Sequence, residues 1–238
     1  MPFVMCAGYW IFAFQSYWIP ATGCLVILSF LTYGSISHDL VHRTLGLPGW
    51  VNQWLLSIIE LLAIRSGHAY RAVHLHHHRR YPHDDDIEAM AAKMTFFGAI
   101  LEGFVFVPRI SIWALKHAES KRSWIIAECS LAILFIVTSV VMIPISVVPL
   151  GYVALMIAGS WIIPVITSYI PHHPTGDTEI QQTRVFRGLL FRIIAIDHLY
   201  HLEHHLYPAV PHYNWHKLAT RIDPWLEENG VEPIRARI

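Results

Sequence analysis

Of the 17 histidines in this 238-residue chain, eight fall into three short boxes: His38 with His42, His74 with His77 and His78, and His201 with His204 and His205. Positions i, i+3 and i+4 of an α-helix share a face, so HxxxH aims two imidazoles one way and HxxHH aims three. Neutral imidazole suits iron, copper, zinc and nickel. Eight converging imidazoles are too many for one ion and about right for two, which points to a redox metal centre. A closed structural zinc site takes four ligands, usually with cysteine among them. Here Cys6, Cys24 and Cys129 lie in apolar stretches without CxxC spacing and read as small core residues.

The elements that must carry these boxes are apolar. The chain is 54% hydrophobic and 14% charged, against about 25% charged in an average soluble domain. Its formal net charge of zero gives no electrostatic support to a nucleic-acid partner. Residues 1–37 hold no Asp, Glu, Lys or Arg, and residues 124–169 hold only Glu128. All 17 Lys and Arg and all 17 His fall in residues 38–123 and 170–238. Cationic segments stay on the cytoplasmic side of a membrane, so both stretches are expected there together.

A crossing helix needs about 20 apolar residues. The sequence therefore predicts an all-α, multi-pass membrane helical bundle with spans at about 3–19, 22–37, 124–143 and 145–168, the first two broken near Ile19-Pro20-Ala21. Residues 38–123 and 170–238 form a cytoplasmic helical cap, and the whole of 1–238 is one domain. The N-terminus is expected to carry no cleavable signal. Trp50–Ile64 and Phe96–Leu115 are apolar but interrupted by Glu60, Glu102, Pro108 and Arg109, and read as helices in the interface or packed under the metal site.

The residues HDLVH at His38–His42, HLHHH at His74–His78 and HLEHH at His201–His205, the last followed by Leu-Tyr-Pro-Ala-Val-Pro, resemble the three histidine boxes of the membrane fatty-acid desaturase superfamily, which includes the carotenoid hydroxylases and ketolases. The likeness spans roughly residues 30–225. It implies a non-haem di-iron centre, molecular oxygen as co-substrate, a membrane lipid or carotenoid substrate, and electrons from an external donor, ferredoxin or a similar carrier. It also implies a ninth histidine upstream of the third box. His172 is the first choice, with His173 beside it and His198, three residues before His201, as competitors. Ser168 stands where some acyl desaturases of that superfamily carry a water-linked asparagine. The general box pattern and the tail of the third box favour a fatty-acyl desaturase. The short chain and the Pro-His element at His172 favour a carotenoid ring hydroxylase or ketolase. A histidine-rich membrane metal transporter is the alternative from another class, although transport sites usually sit at mid-membrane on broken helices.

Several other residues carry expectations. His76 lies on the wrong face of its box, and His212 and His216 are expected to cap or fill an interface. A ligating histidine commonly donates its second N–H to a carboxylate; Asp39, Asp197 and Glu203 are candidates by adjacency, and Asp84-Asp85-Asp86 is a candidate for that role, for docking a basic carrier, or for a solvated turn. Arg79 and Arg80 either balance those acids or meet lipid headgroups. Glu60 and Glu102 must find partners if buried.

Overall fold

The structure, a computed structural model, describes residues 1–194 and 196–235. Helices α1 (Pro2–Phe14) and α2 (Trp18–Leu31) form a hairpin, and α2 continues through a π-helical turn (Thr32–Ile36) into α3 (Ser37–His42). Then come α4 (Gly49–Leu62), α5 (Gly67–Arg80), α6 (Phe96–His117), α7 (Arg122–Val141) and α8 (Val148–Ser160), followed by a second π-helical turn (Val165–Tyr169). The C-terminal cap holds β1 (Phe186–Arg187), α9 (Leu189–Ile194), α10 (His201–Leu206), α11 (Trp215–Glu228) and β2 (Ile234–Arg235), with β1 and β2 paired in parallel. The architecture is an all-α helical bundle with these short strand pieces.

Among the described residues four helical runs are long and apolar enough to cross a membrane: Trp18–His42, Phe96–His117, Glu119–Val141 and Val148–Tyr169. Two differences from the sequence expectation follow. The expected span at 3–19 is the shorter helix Pro2–Phe14, because the chain turns at Gln15–Tyr17, with Ser16 at φ +66°, and not at Pro20. Pro20 sits in the first turn of α2, where its missing N–H has no helical partner to lose. The second difference is α6, whose 22 residues have the length and composition of a span. Both its ends nevertheless stand at the end of the bundle where the histidines gather: Phe96 lies against Tyr169, and Trp113 against His76 at 4.7 Å between ring centroids. Between them Gly103 rests on the backbone of Trp161, where a Cβ would collide with the carbonyl oxygen.

The bundle packs around two apolar clusters. Tyr9, Leu25, Leu28, Tyr152 and Met156 join α1, α2 and α8. Tyr33, Leu40, Leu56, Tyr70, Phe106 and Ile125 join the elements beneath the histidines. Ile126, Leu131, Ile133, Leu134, Val137 and Val141 of α7 are exposed, an apolar face larger than a water-soluble monomer carries.

Buried charges meet partners. Arg65, at the α4–α5 turn, donates through Nε to Glu60 at 2.8 Å and through Nη2 to the Thr32 hydroxyl at 2.7 Å. Arg109 pairs with Glu102 within α6. The carboxylate of Glu128 accepts from the Ser57 hydroxyl, the Ser66 hydroxyl (2.6 Å), the His68 amide (3.1 Å) and His68 Nδ1 (2.8 Å), tying α7 to the α4–α5 hairpin.

Candidate metal centre

Each box sits at a helix end, and local helical geometry sets its aim. His38 and His42 lie on α3, which stops at Arg43 in the left-handed region, φ +59°. His74, His77 and His78 lie on α5, whose N-terminus is capped by Ser66 accepting from the Ala69 amide. His201, His204 and His205 lie on the short α10. Trp215 of α11, fully buried, braces the last box: its ring lies 4.8 Å from His204 and 5.2 Å from His38.

The nine expected imidazoles come together in two groups, each with its ligand atoms within 4.8 Å of one another: His38, His42, His74, His78 and His204, and His77, His172, His201 and His205. The HxxHH boxes therefore do not aim three rings at one point. Each i, i+4 pair (38/42, 74/78, 201/205) serves a single group, while His77 and His204 reach across to the other. A helix face is about 100° wide, so the third ring of each box leaves the axis at an angle that two adjacent groups can share.

Their spacing is that of a coordination shell. Nε2 of His38 lies 3.0 Å from that of His74 and 3.0 Å from that of His204; His78 stands 3.2 Å from His74 and 2.6 Å from His204. In the second group the separations are 3.1 Å for His172–His77, 3.1 Å for His172–His201, 3.0 Å for His201–His205 and 3.2 Å for His77–His205. Imidazole nitrogens about 2.1 Å from a shared metal stand about 3.0 Å apart at right angles and about 3.4 Å apart at tetrahedral angles. The observed edges match the right-angled arrangement better.

Protonation points the same way. His77 Nδ1 donates to Asp86 at 2.7 Å, His172 Nδ1 to the Ser168 carbonyl at 3.0 Å, and His74 Nδ1 to both oxygens of Glu88 at 3.1 Å. With Nδ1 carrying the proton, the Nε2 atoms of these three rings present lone pairs to other Nε2 atoms, and a cation between them relieves that repulsion. Burial holds His74, His172, His201, His204 and His205 well below the usual imidazole range, and takes His78 to about 2. Neutral imidazole is the form that binds metal. Burial also works against the cation of His77, but its bond to Asp86 outweighs this and raises it. Even a cationic His77 could donate from Nε2 to only one neighbour. The donor set thus fits two metal ions.

The supporting carboxylates differ from those that adjacency suggests. Asp39 accepts from His212 Nδ1 at 2.6 Å, Glu203 pairs with Arg187 at 2.6 Å, and Asp197 with Arg192 at 3.0 Å; all three brace the cap. The acids that hold box histidines are Asp86 and Glu88, reached because the loop after α5 folds back over it. Of the acidic triplet, only Asp86 is buried; Asp85 pairs with Arg80 and Asp84 with Lys93 on the surface. Glu88 is missing from the sequence reading, and the only signal for it is its place two residues beyond the triplet. Burial pushes its carboxyl up to about 7, and it accepts from the Tyr33 hydroxyl at 2.7 Å.

His173 turns away toward the Thr175 hydroxyl, and His76 toward the Asp85 carbonyl. His198 is buried beside His201, with ring centroids 5.1 Å apart, but belongs to neither group. Ser168 uses its hydroxyl to accept from the Ala92 amide and its carbonyl to orient His172. Beneath the two groups the side chains of His74, His77, His172, His201, Tyr33 and Glu88 close on one another.

A family model described as fatty acid desaturase matches residues 16–235, a span that contains all nine imidazoles. Nothing among the curated proteins or the solved structures matches the chain. Apolar helices of spanning length, two adjacent imidazole groups and a family match over nearly the whole sequence agree: this integral membrane protein belongs to the fatty acid desaturase family, whose members are oxidoreductases.

Proposed function

We propose that the nine imidazoles hold two iron ions, five on one and four on the other, and that the protein uses molecular oxygen to place a double bond in a long-chain fatty-acyl lipid. The observation that carries this reading is the pair of neighbouring Nε2 clusters, set at metal-shell spacing in a chain of the desaturase family. Iron in such a centre supplies the oxidising power that no side chain has. In balance, a –CH2–CH2– unit, dioxygen, two electrons and two protons give –CH=CH– and two waters. The electrons come from an external donor, ferredoxin or a similar carrier, and the charge map supports a cytoplasmic position for the centre.

The chain's own residues do the rest. Asp86, Glu88 and the Ser168 carbonyl fix three rings with Nε2 inward. Glu88 also accepts from the Tyr33 hydroxyl, so the carboxylate that orients His74 is itself held in place. Burial of the rings keeps bulk water from the reacting carbons.

The test is oxygen-dependent conversion of a labelled lipid by purified protein, with iron counted per chain. Two irons and a new double bond are expected. One zinc per chain without oxygen-dependent turnover would support the metal-transporter alternative instead. The Pro171–His172 element favours a second substrate reading, a carotenoid ring hydroxylase or ketolase; pigment profiling in a carotene-producing host separates the two, since altered pigment with unchanged acyl chains would sink the acyl reading.

A further inference from the structure

Tyr33, Tyr70, Tyr81 and Trp215 are oxidisable side chains set against the imidazole groups. The Tyr81 ring lies 4.4 Å from that of His172, Trp215 lies 4.8 Å from His204, Tyr70 lies 5.5 Å from His74, and Tyr33 closes on His74 beside Glu88. They differ in where a proton could go. Trp215 Nε1 donates to the Val210 carbonyl at 2.9 Å and the Tyr70 hydroxyl to the Tyr33 carbonyl at 2.7 Å. The Tyr81 hydroxyl meets no acceptor among the described residues. Of the four, Tyr33 is the one that donates to a carboxylate, at Glu88 Oε1, 2.7 Å away. The same oxygen accepts from His74 Nδ1 at 3.1 Å, so a single atom links the phenol to a ring of the five-imidazole group.

That link matters because a buried phenol that loses an electron must also lose its proton, since an unpaired buried charge is costly. A backbone carbonyl is no base, whereas a carboxylate is. Tyr33 is 2% exposed, and its ring is stacked on that of Tyr70, with centroids 3.9 Å apart and planes inclined by 24°, which fixes it in place. The Arg65 guanidinium, 5.4 Å from the ring centroid, opposes loss of an electron as any cation over an aromatic face does, tempered by its pairing with Glu60. Tyr33 therefore yields only to a strong oxidant.

We propose that Tyr33 is a redox-active tyrosine that discharges the metal centre when dioxygen has reacted with no lipid in place. This rests on the di-iron reading above. The iron pair, oxidised by dioxygen, takes one electron from Tyr33. The phenol O–H bond breaks and its proton moves to Glu88 Oε1, which leaves a neutral phenoxyl radical and an iron pair reduced by one electron. One electron from the external donor, with the proton returned by Glu88, restores the phenol. The imidazoles are spared an oxidation that would otherwise fall on them.

The test mixes dioxygen with the reduced, iron-loaded protein in a steroidal detergent, which offers no acyl chain, and freezes the sample for electron paramagnetic resonance. An organic radical is expected. A ring-fluorinated tyrosine placed at position 33 alone keeps the hydroxyl and must add fluorine splitting to that signal, while the same label at position 81 must not. Tyr33→Phe should abolish the signal, and repeated oxygen cycles should then add oxygen to the box histidines, read by peptide mass spectrometry against an unmodified wild type. A wild type that oxidises lipid yet forms no radical, or whose radical takes its splitting from position 81, would overturn the proposal and leave the functional reading standing. A protein that binds no iron or consumes no dioxygen would overturn both.

Discussion

His68 and His74 lie less than two turns apart on α5, both buried and both bonded through Nδ1 to a carboxylate, Glu128 and Glu88 respectively. What differs is the company of the other nitrogen. His74 Nε2 stands 3.0 Å from that of His38 and 3.2 Å from that of His78. His68 is stacked on Trp124 at 4.7 Å and belongs to neither imidazole group found among the described residues, and its carboxylate is shared with Ser57 and Ser66. A buried histidine–carboxylate pair is therefore no mark of a metal site. One pair clamps three helices together, and the other aims a lone pair into a nest of lone pairs.

The contrast can be broken at several points. His204→Ala should abolish turnover and strip iron from the five-imidazole group while the helical bundle stays folded; iron analysis beside circular dichroism checks this, and normal iron loading would contradict the grouping. Glu128→Ala should act on the fold instead, because removing one partner of a buried pair costs about 3–5 kcal/mol. Thermal unfolding in detergent reads that loss, and a variant as stable as wild type would show that the clamp is idle. Glu88→Gln keeps the shape but weakens the orienting bond, so iron affinity or activity should fall about 10–100-fold with little change in unfolding temperature. The smallest effect belongs to His76→Ala: its ring leans on Trp113 outside both groups, and activity should stay within about twofold of wild type. If His76→Ala behaves like His204→Ala, the facial argument for the boxes is wrong.

Much of the site is legible in the residues because helical periodicity is local. The i, i+4 pairs at 38/42, 74/78 and 201/205 each serve one group, as spacing alone suggests. The span boundaries are harder to read. Pro20 looks like a break but falls in a first turn, and the turn at Gln15–Tyr17 has no strong sequence marker. α6 has the composition of a span, yet both its ends return to the histidine-bearing end of the bundle, an arrangement set by its contacts with Tyr169, Trp161 and His76.

The sequence by itself determined an apolar multi-helix chain with charge confined to two stretches, and eight imidazoles placed on helix faces at metal-binding spacing. Those properties depend on residue type and on a 3.6-residue repeat, both of which are local. Only the tertiary structure decided that the imidazoles divide five and four, that His172 and not His173 or His198 completes the second group, and that Asp86 and Glu88 orient the rings while Asp39, Asp197 and Glu203 brace the cap. Such choices turn on how closely separate helices approach and how they are rotated. Here one π-helical turn stands just before α3, which carries His38, and a second ends three residues before His172, where the chain leaves helix; each changes the direction in which the next side chains point, and no local pattern in the residues reports that change.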